Sequence, residues 1–132
     1  MLLLENEYVK LSLDENVPCI EWVGKKFMPS GVFRESEEKC LEYYHKFKEM
    51  YAKLQWFVDA REIGSVSPED QQWVVENILP KFASAGLQKE VFVVPESALG
   101  KMVIKNYIAK AGEIIAMNVF DNVGAAKKWL GG

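Results

Sequence analysis

Residues 57 to 73, "FVDAREIGSVSPEDQQW", place Asp59, Arg61, Glu62, Ser65, Ser67, Glu69 and Asp70 at one junction between an apolar run and a helical pattern. Two kinds of chemistry are open to such a set. Paired carboxylates, Asp59 with Glu62 or Glu69 with Asp70, could act as general acid and base. The serines could serve as hydroxyl nucleophiles or phosphate acceptors, but a serine nucleophile needs a base, and the chain's one histidine, His45, falls among Lys46, Lys48 and Glu49 on the polar side of a helical pattern. The serines have a structural explanation as well. In S-P-E-D, Ser67 caps a helix, Pro68 takes its first position, and Glu69 and Asp70 favour the positive end of the dipole.

Composition narrows the chemistry further. One histidine and two distant cysteines, Cys19 and Cys40, cannot assemble a standard zinc site. Neither GxxxxGK[ST] nor GxGxxG occurs at a strand-to-helix turn, so nucleotide phosphates find no glycine-lined cradle. No cofactor is expected. A net charge of −3, with basic residues mixed among acids as in "RESEEKCLEYYHKFKE", argues against binding nucleic acid or anionic lipid. The cysteines read as small buried hydrophobes in a reducing compartment. "MLLLENE" is too short for a signal peptide or a membrane span, so a cytoplasmic protein is expected.

The elements that position the junction follow from periodicity. The 132 residues, 49% hydrophobic, suit a single domain over 1–132. "YVKLSL" alternates with period two and "VPCIEWVG" is apolar on both faces but for Glu21, so residues 8 to 23 should form an antiparallel hairpin. From Ser30 to Lys53, Cys40, Leu41, Tyr44, Phe47, Met50, Tyr51 and Leu54 recur at helical spacing, with Glu37, Glu38, Glu42, Lys46, Lys48 and Glu49 opposite. "LQWFVD" is a third strand. A second helix should run from Pro68 to about Ala85, end at Gly86, and bend or split at Pro80. "EVFVV" and "EIIAMNVF" are further strands. Between them "SALGKMVIKNYIAKAG" makes a helix with Met102, Val103, Tyr107 and Ala111 on one side. A last short helix, "DNVGAAKKWL", has Asp121 at its amino end.

The fold class is therefore α/β. It is expected as a mixed, mostly parallel five-stranded sheet in the order β-β-α-β-α-β-α-β-α, with parallel crossovers covered by helices. Asp59 would end a central strand at the carboxyl edge, where open α/β sheets place ligands. Trp22, Trp56, Trp73 and Trp129 are sheet-covering residues or the lining of an apolar pocket.

"WFVDAR", "SVSPEDQQW" and "VFDNVGAAKKWL", in this element order, resemble the SpoIIAA-like proteins, relatives of the STAS domain of anti-sigma-factor antagonists and sulfate transporters. The likeness runs from about Tyr8 to Leu130. It implies a β-α superhelix, similar also to lipid-binding CRAL-TRIO domains, with no known catalysis. In the antagonists a serine of a D-S-S-G stretch is phosphorylated by a kinase partner. Here Ser67, Pro68, Glu69 and Asp70 stand in that place, with Pro68 and Glu69 where the serines would be. The phosphoswitch does not carry over, although Glu69 could hold a permanent negative charge there.

The expectation is a non-enzymatic STAS-like module that binds a protein partner or a small apolar ligand through Asp59, Arg61, Ser65, Ser67, Glu69 and Trp73. A lipid or fatty-acid carrier of CRAL-TRIO-like type is the alternative, and a carboxylate acid/base enzyme on Asp59 and Glu62 is a more remote one. A homodimer is compatible with either binding reading.

Overall fold

The computed structural model describes residues 1–95 and 98–132. It is an α/β structure with a six-stranded mixed sheet, one strand more than expected. The strands are β1 (Leu2–Glu5), β2 (Val9–Asp14), β3 (Cys19–Gly24), β4 (Gln55–Asp59), β5 (Lys89–Val93) and β6 (Ala116–Phe120), and they lie side by side in that order. β2 runs antiparallel to both β1 and β3, and β3 to β6 are parallel. The additional strand is the "LLLE" of the first residues, which shows no period-two alternation. Backbone pairing against β2, rather than a buried face, makes it a strand, and Leu2 remains 56% exposed.

The helices are α1 (Ser30–Phe47), α2 (Pro68–Trp73), α3 (Leu79–Ala85), α4 (Ala98–Ala111) and α5 (Val123–Gly131). A π-helical stretch, Val74–Ile78, joins α2 to α3 in one continuous rod, so the sheet carries four helices. Pro80 explains the interruption expected there, because it lacks an N–H and cannot continue a regular ladder across Ile78. Gly86, with φ 115°, ends the rod in the left-handed conformation expected of it.

Three other expectations are corrected. The first helix stops at Phe47; beyond it Met50 and Leu54 donate backbone hydrogen bonds three residues back in turns, so Leu54 reaches the core from a turn and Met50 is exposed. Asn122, not Asp121, caps α5 by accepting from the Ala125 N–H at 2.8 Å. Met102 lies on the outside of α4, whereas Tyr107 and Ala111 are buried; Ser97, expected to open that helix, lies outside the described residues.

A parallel sheet that advances one strand at a time, crossed each time with the same hand, keeps its connecting helices on one face. Residues of α1, the α2–α3 rod and α4 accordingly share one core with Leu11, Ile20, Trp22, Trp56, Val58 and Phe92. α5 covers the other face with Ala126 and Leu130 against Cys19, Phe57, Val91 and Val93. Alternate residues of each strand thus go to different cores. No helix among the described residues is long and apolar enough to cross a membrane.

Candidate functional site

Strand register builds the floor of a cavity on the three-helix face. Across β3, β4 and β5, Ile20, Trp56 and Glu90 form one row, and Trp22, Val58 and Phe92 form the next. Ala60 and Val94 extend the floor past the carboxyl ends of β4 and β5. Phe33 and Glu37 of α1, Gln71 and Val74 of the rod, the Ile63–Val66 loop, and Ile104 and Tyr107 of α4 supply the walls. The space between them is about 530 Å³, within the range of small-molecule sites.

Two edge-to-face pairs hold opposite walls, Trp22 on Phe33 at 6.4 Å and Phe92 on Tyr107 at 5.6 Å between ring centroids. The Trp22 indole N–H donates to Ser36 Oγ at 2.9 Å, and the Ser36 hydroxyl donates to the Phe33 carbonyl at 2.6 Å. This chain fixes the Trp22 ring and leaves the serine committed. Gly24 is required beside it, because a Cβ there would stand 2.1 Å from Ile63 Cγ2 and 3.0 Å from the Trp22 ring. Any larger residue would drive both into the cavity.

Two carboxyl groups break the apolar lining. Glu37 is 5% exposed and Glu90 2%, and neither Glu37 Oε2 nor Glu90 Oε1 has a hydrogen-bond partner among the described residues. Trp56 Nε1, in register beside Glu90, is likewise unpartnered. No Lys, Arg or His is among the described lining residues. Burial pushes Glu37 up to about 8. Burial, then the charge of Glu37, pushes Glu90 well above the ordinary carboxylate range. Burial, then these two carboxyls, holds the Tyr107 phenol high. Both shifts favour the protonated carboxyl, since a bare carboxylate in such a medium would lack solvation. Each can then donate as well as accept, and Glu37 can exchange a proton near neutrality.

Glu37 was expected on the polar face of the first helix, and the structure overturns that. It follows Phe33 by four residues and precedes Cys40 by three, which puts it on the buried stripe Phe33, Cys40, Tyr44, Phe47. Glu90 was the one acid in an otherwise apolar strand run. It faces the cavity because it alternates with Val91 and Val93, which face α5.

The residues of the 59–73 junction are not gathered in one place. Asp59 follows Phe57 onto the α5 face, away from the cavity, and its carboxylate accepts from Arg61 Nε at 3.0 Å, Nη2 at 2.7 Å and the Arg61 backbone N–H at 3.2 Å. Glu62 is exposed. Ser65 lines the cavity and also an adjoining 240 Å³ recess that includes Ser67 and Asp70. Ser67 caps α2 as expected, accepting from the Asp70 N–H at 3.1 Å. Asp70 joins two helix starts, accepting from Ser30 Oγ at 2.6 Å and Arg34 Nε at 2.8 Å. Burial alone would raise Asp70, but these partners hold its carboxyl below the ordinary range. Glu69 and Trp73 face an outer groove with Arg34, whose guanidinium lies 5.0 Å from the Trp73 ring.

Of the other tryptophans, Trp22 lines the cavity, Trp56 stacks on Phe82 at 4.3 Å, and Trp129 lies under Lys89. Cys19 and Cys40 are buried free thiols, with Cys19 pushed out of reactive range by burial. Among the described residues no group of three or more His, Cys, Asp and Glu is placed to hold a metal ion. Compared with family models, curated proteins and solved structures, the chain matches none of them.

Proposed function

We propose that this chain is a non-enzymatic binding module of STAS type, acting in the cytoplasm, that takes a small apolar ligand into the cavity between the sheet, α1, the α2–α3 rod and α4. The carrying observation is that 530 Å³ of largely apolar space stands over two buried carboxyl groups with unpartnered oxygens. A well-packed core of this size leaves few voids larger than a water molecule, and buried polar atoms are ordinarily satisfied. Space and unmet hydrogen bonds together suit a ligand with a polar head. The alternation of strands and helices and the Ser67–Pro68 helix start support the STAS-like reading, and the two buried free thiols support a reducing compartment.

The same apolar lining supports a lipid carrier of CRAL-TRIO-like type as a second reading. A fatty-acid headgroup would there meet Glu37 and Glu90 with no cation among the lining residues, which favours other ligands. A protein partner would instead meet the outer groove around Glu69, Trp73 and Arg34.

Native mass spectrometry of the purified protein and titration with 1-decanol, followed by tryptophan fluorescence, test the cavity. Saturable binding is expected in the wild type, with at least a tenfold loss in Ala60→Leu, whose added side chain fills the floor. Absence of any bound small molecule together with no saturable response would reject the proposal.

A further inference from the structure

We infer that the cavity selects ligands carrying an ammonium group on an apolar body, with Glu37 and Glu90 receiving the ammonium at the floor. The inference rests on the reading of the cavity as a ligand site and adds the chemistry of the ligand's head.

Three observations point the same way. Glu37 Oε2 and Glu90 Oε1, on α1 and β5, are buried oxygens on the cavity lining with no hydrogen-bond partner among the described residues. An ammonium offers up to three N–H donors and no acceptor, which complements oxygens in need of donors. No cationic side chain among the described lining residues occupies that place. Finally, Trp22, Phe33, Phe92 and Tyr107 surround the space with aromatic rings, whose negative faces attract a desolvated cation. An alcohol would satisfy one oxygen but bring no charge. A carboxylate would add a third acid to a cluster that already holds two.

Proton balance makes the idea testable. The ammonium enters charged and one glutamic acid leaves its proton to solvent, so the bound state is an ion pair with a net release of one proton. The titratable groups facing this pair are Cys40 on α1 and Tyr107 on α4, both held in their neutral forms by burial; the lining residues of β3, β4 and the rod carry no charge. Below about pH 8, where Glu37 holds its proton, affinity for an ammonium should therefore rise with pH by up to roughly tenfold per unit, then level off. Affinity for a neutral ligand should not change.

Calorimetric titration of the wild-type protein with decylamine, 1-decanol and decanoic acid, at pH 6, 7 and 8, decides it. Decylamine is expected to bind at least tenfold more tightly than 1-decanol at pH 8, to tighten with pH, and to exceed decanoic acid throughout. Glu37→Gln and Glu90→Gln should each narrow the amine-to-alcohol ratio at least fivefold; if either variant fails to fold, the wild-type series still decides. A decylamine affinity equal to that of 1-decanol, or flat from pH 6 to 8, would overturn the ammonium inference while leaving the cavity a binding site. Tightest binding of decanoic acid would overturn it too. Saturable binding of none of the three would overturn both readings.

Discussion

On the α5 face of the sheet, Asp14 and Glu21 share the Lys127 ammonium, with Glu21 Oε2 at 2.8 Å, and Asp59 is clasped by Arg61. On the opposite face Glu37 and Glu90 are more deeply buried and have no cation. The electrostatic outcome differs in sign. Burial pushes Asp14 upward, but the Lys127 hydrogen bond and charge, with backbone N–H groups, bring it below its ordinary value. Burial acts on Glu37 without opposition and takes it up to about 8. One face spends its acids on holding a helix to a sheet. The other keeps two acids neutral beside empty space, an arrangement with no structural return, since an apolar residue of similar size would pack at lower cost. Unpaired burial is what distinguishes the cavity face from the α5 face.

The contrast is sharpest in the pH dependence of stability. Glu37 has a folded value raised above its unfolded one, so the folded state binds more protons between about pH 4.5 and 8 and stability falls as pH rises through that window. The slope is at most roughly 1.4 kcal/mol per pH unit, or about 4 kcal/mol from pH 5 to 8. Glu90, also raised by burial, adds a slope of the same sign, so urea unfolding at these pH values should show the combined fall, and Glu37→Gln should reduce the slope and be the more stable protein at pH 8. A wild-type curve flat over this range would mean that Glu37 is paired or solvated after all.

Next in size is Lys127→Met, which strands Asp14 and Glu21 on the α5 face and should cost about 2 kcal/mol at pH 7. Asp14 has a lowered folded value, so its contribution is present above its unfolded pKa and lost as pH falls through the folded one. Acid unfolding below about pH 4 should therefore lose part of its steepness in Lys127→Met, with no change in the slope from pH 5 to 8. An altered slope there would couple two faces that the structure separates.

The smallest effect is expected of Arg61→Ala. Its side chain is 42% exposed over an Asp59 side chain 9% exposed; the Arg61 backbone N–H would still serve the carboxylate, so a pair open to water on one side contributes about 1 kcal/mol. Thermal melting should shift slightly, and 1-decanol binding should stay within twofold. A large loss of ligand with unchanged melting would move the site from the cavity to the Asp59–Arg61 loop.

Much of the scaffold was legible. The period-two run of β2, the S-P-E-D cap at Ser67, Pro80 within its helix and the stop at Gly86 are local signals, read from side-chain type and near neighbours. β1 was not legible, because its three leucines carry no alternation and its identity comes from the backbone of β2. The α1 boundary was missed because Met50 and Leu54 continue the helical spacing by coincidence while the backbone turns. Glu37 was half legible: its place on the stripe of Phe33 and Cys40 was open to counting, but a carboxylate on a buried stripe contradicts the usual rule and invites assignment to the wet face.

The sequence by itself determined the α/β alternation and the helix start at Pro68, because each follows from residues close together in the chain. Only the tertiary structure decided which acids would be paired. Asp59 meets Arg61 two positions away, Asp14 meets Lys127 from the far end of the chain, and Glu37 and Glu90 meet neither cation, because strand register and alternation turn them to the three-helix face. Charge pairing depends on distance across the fold, and that distance is set by topology and not by spacing along the chain.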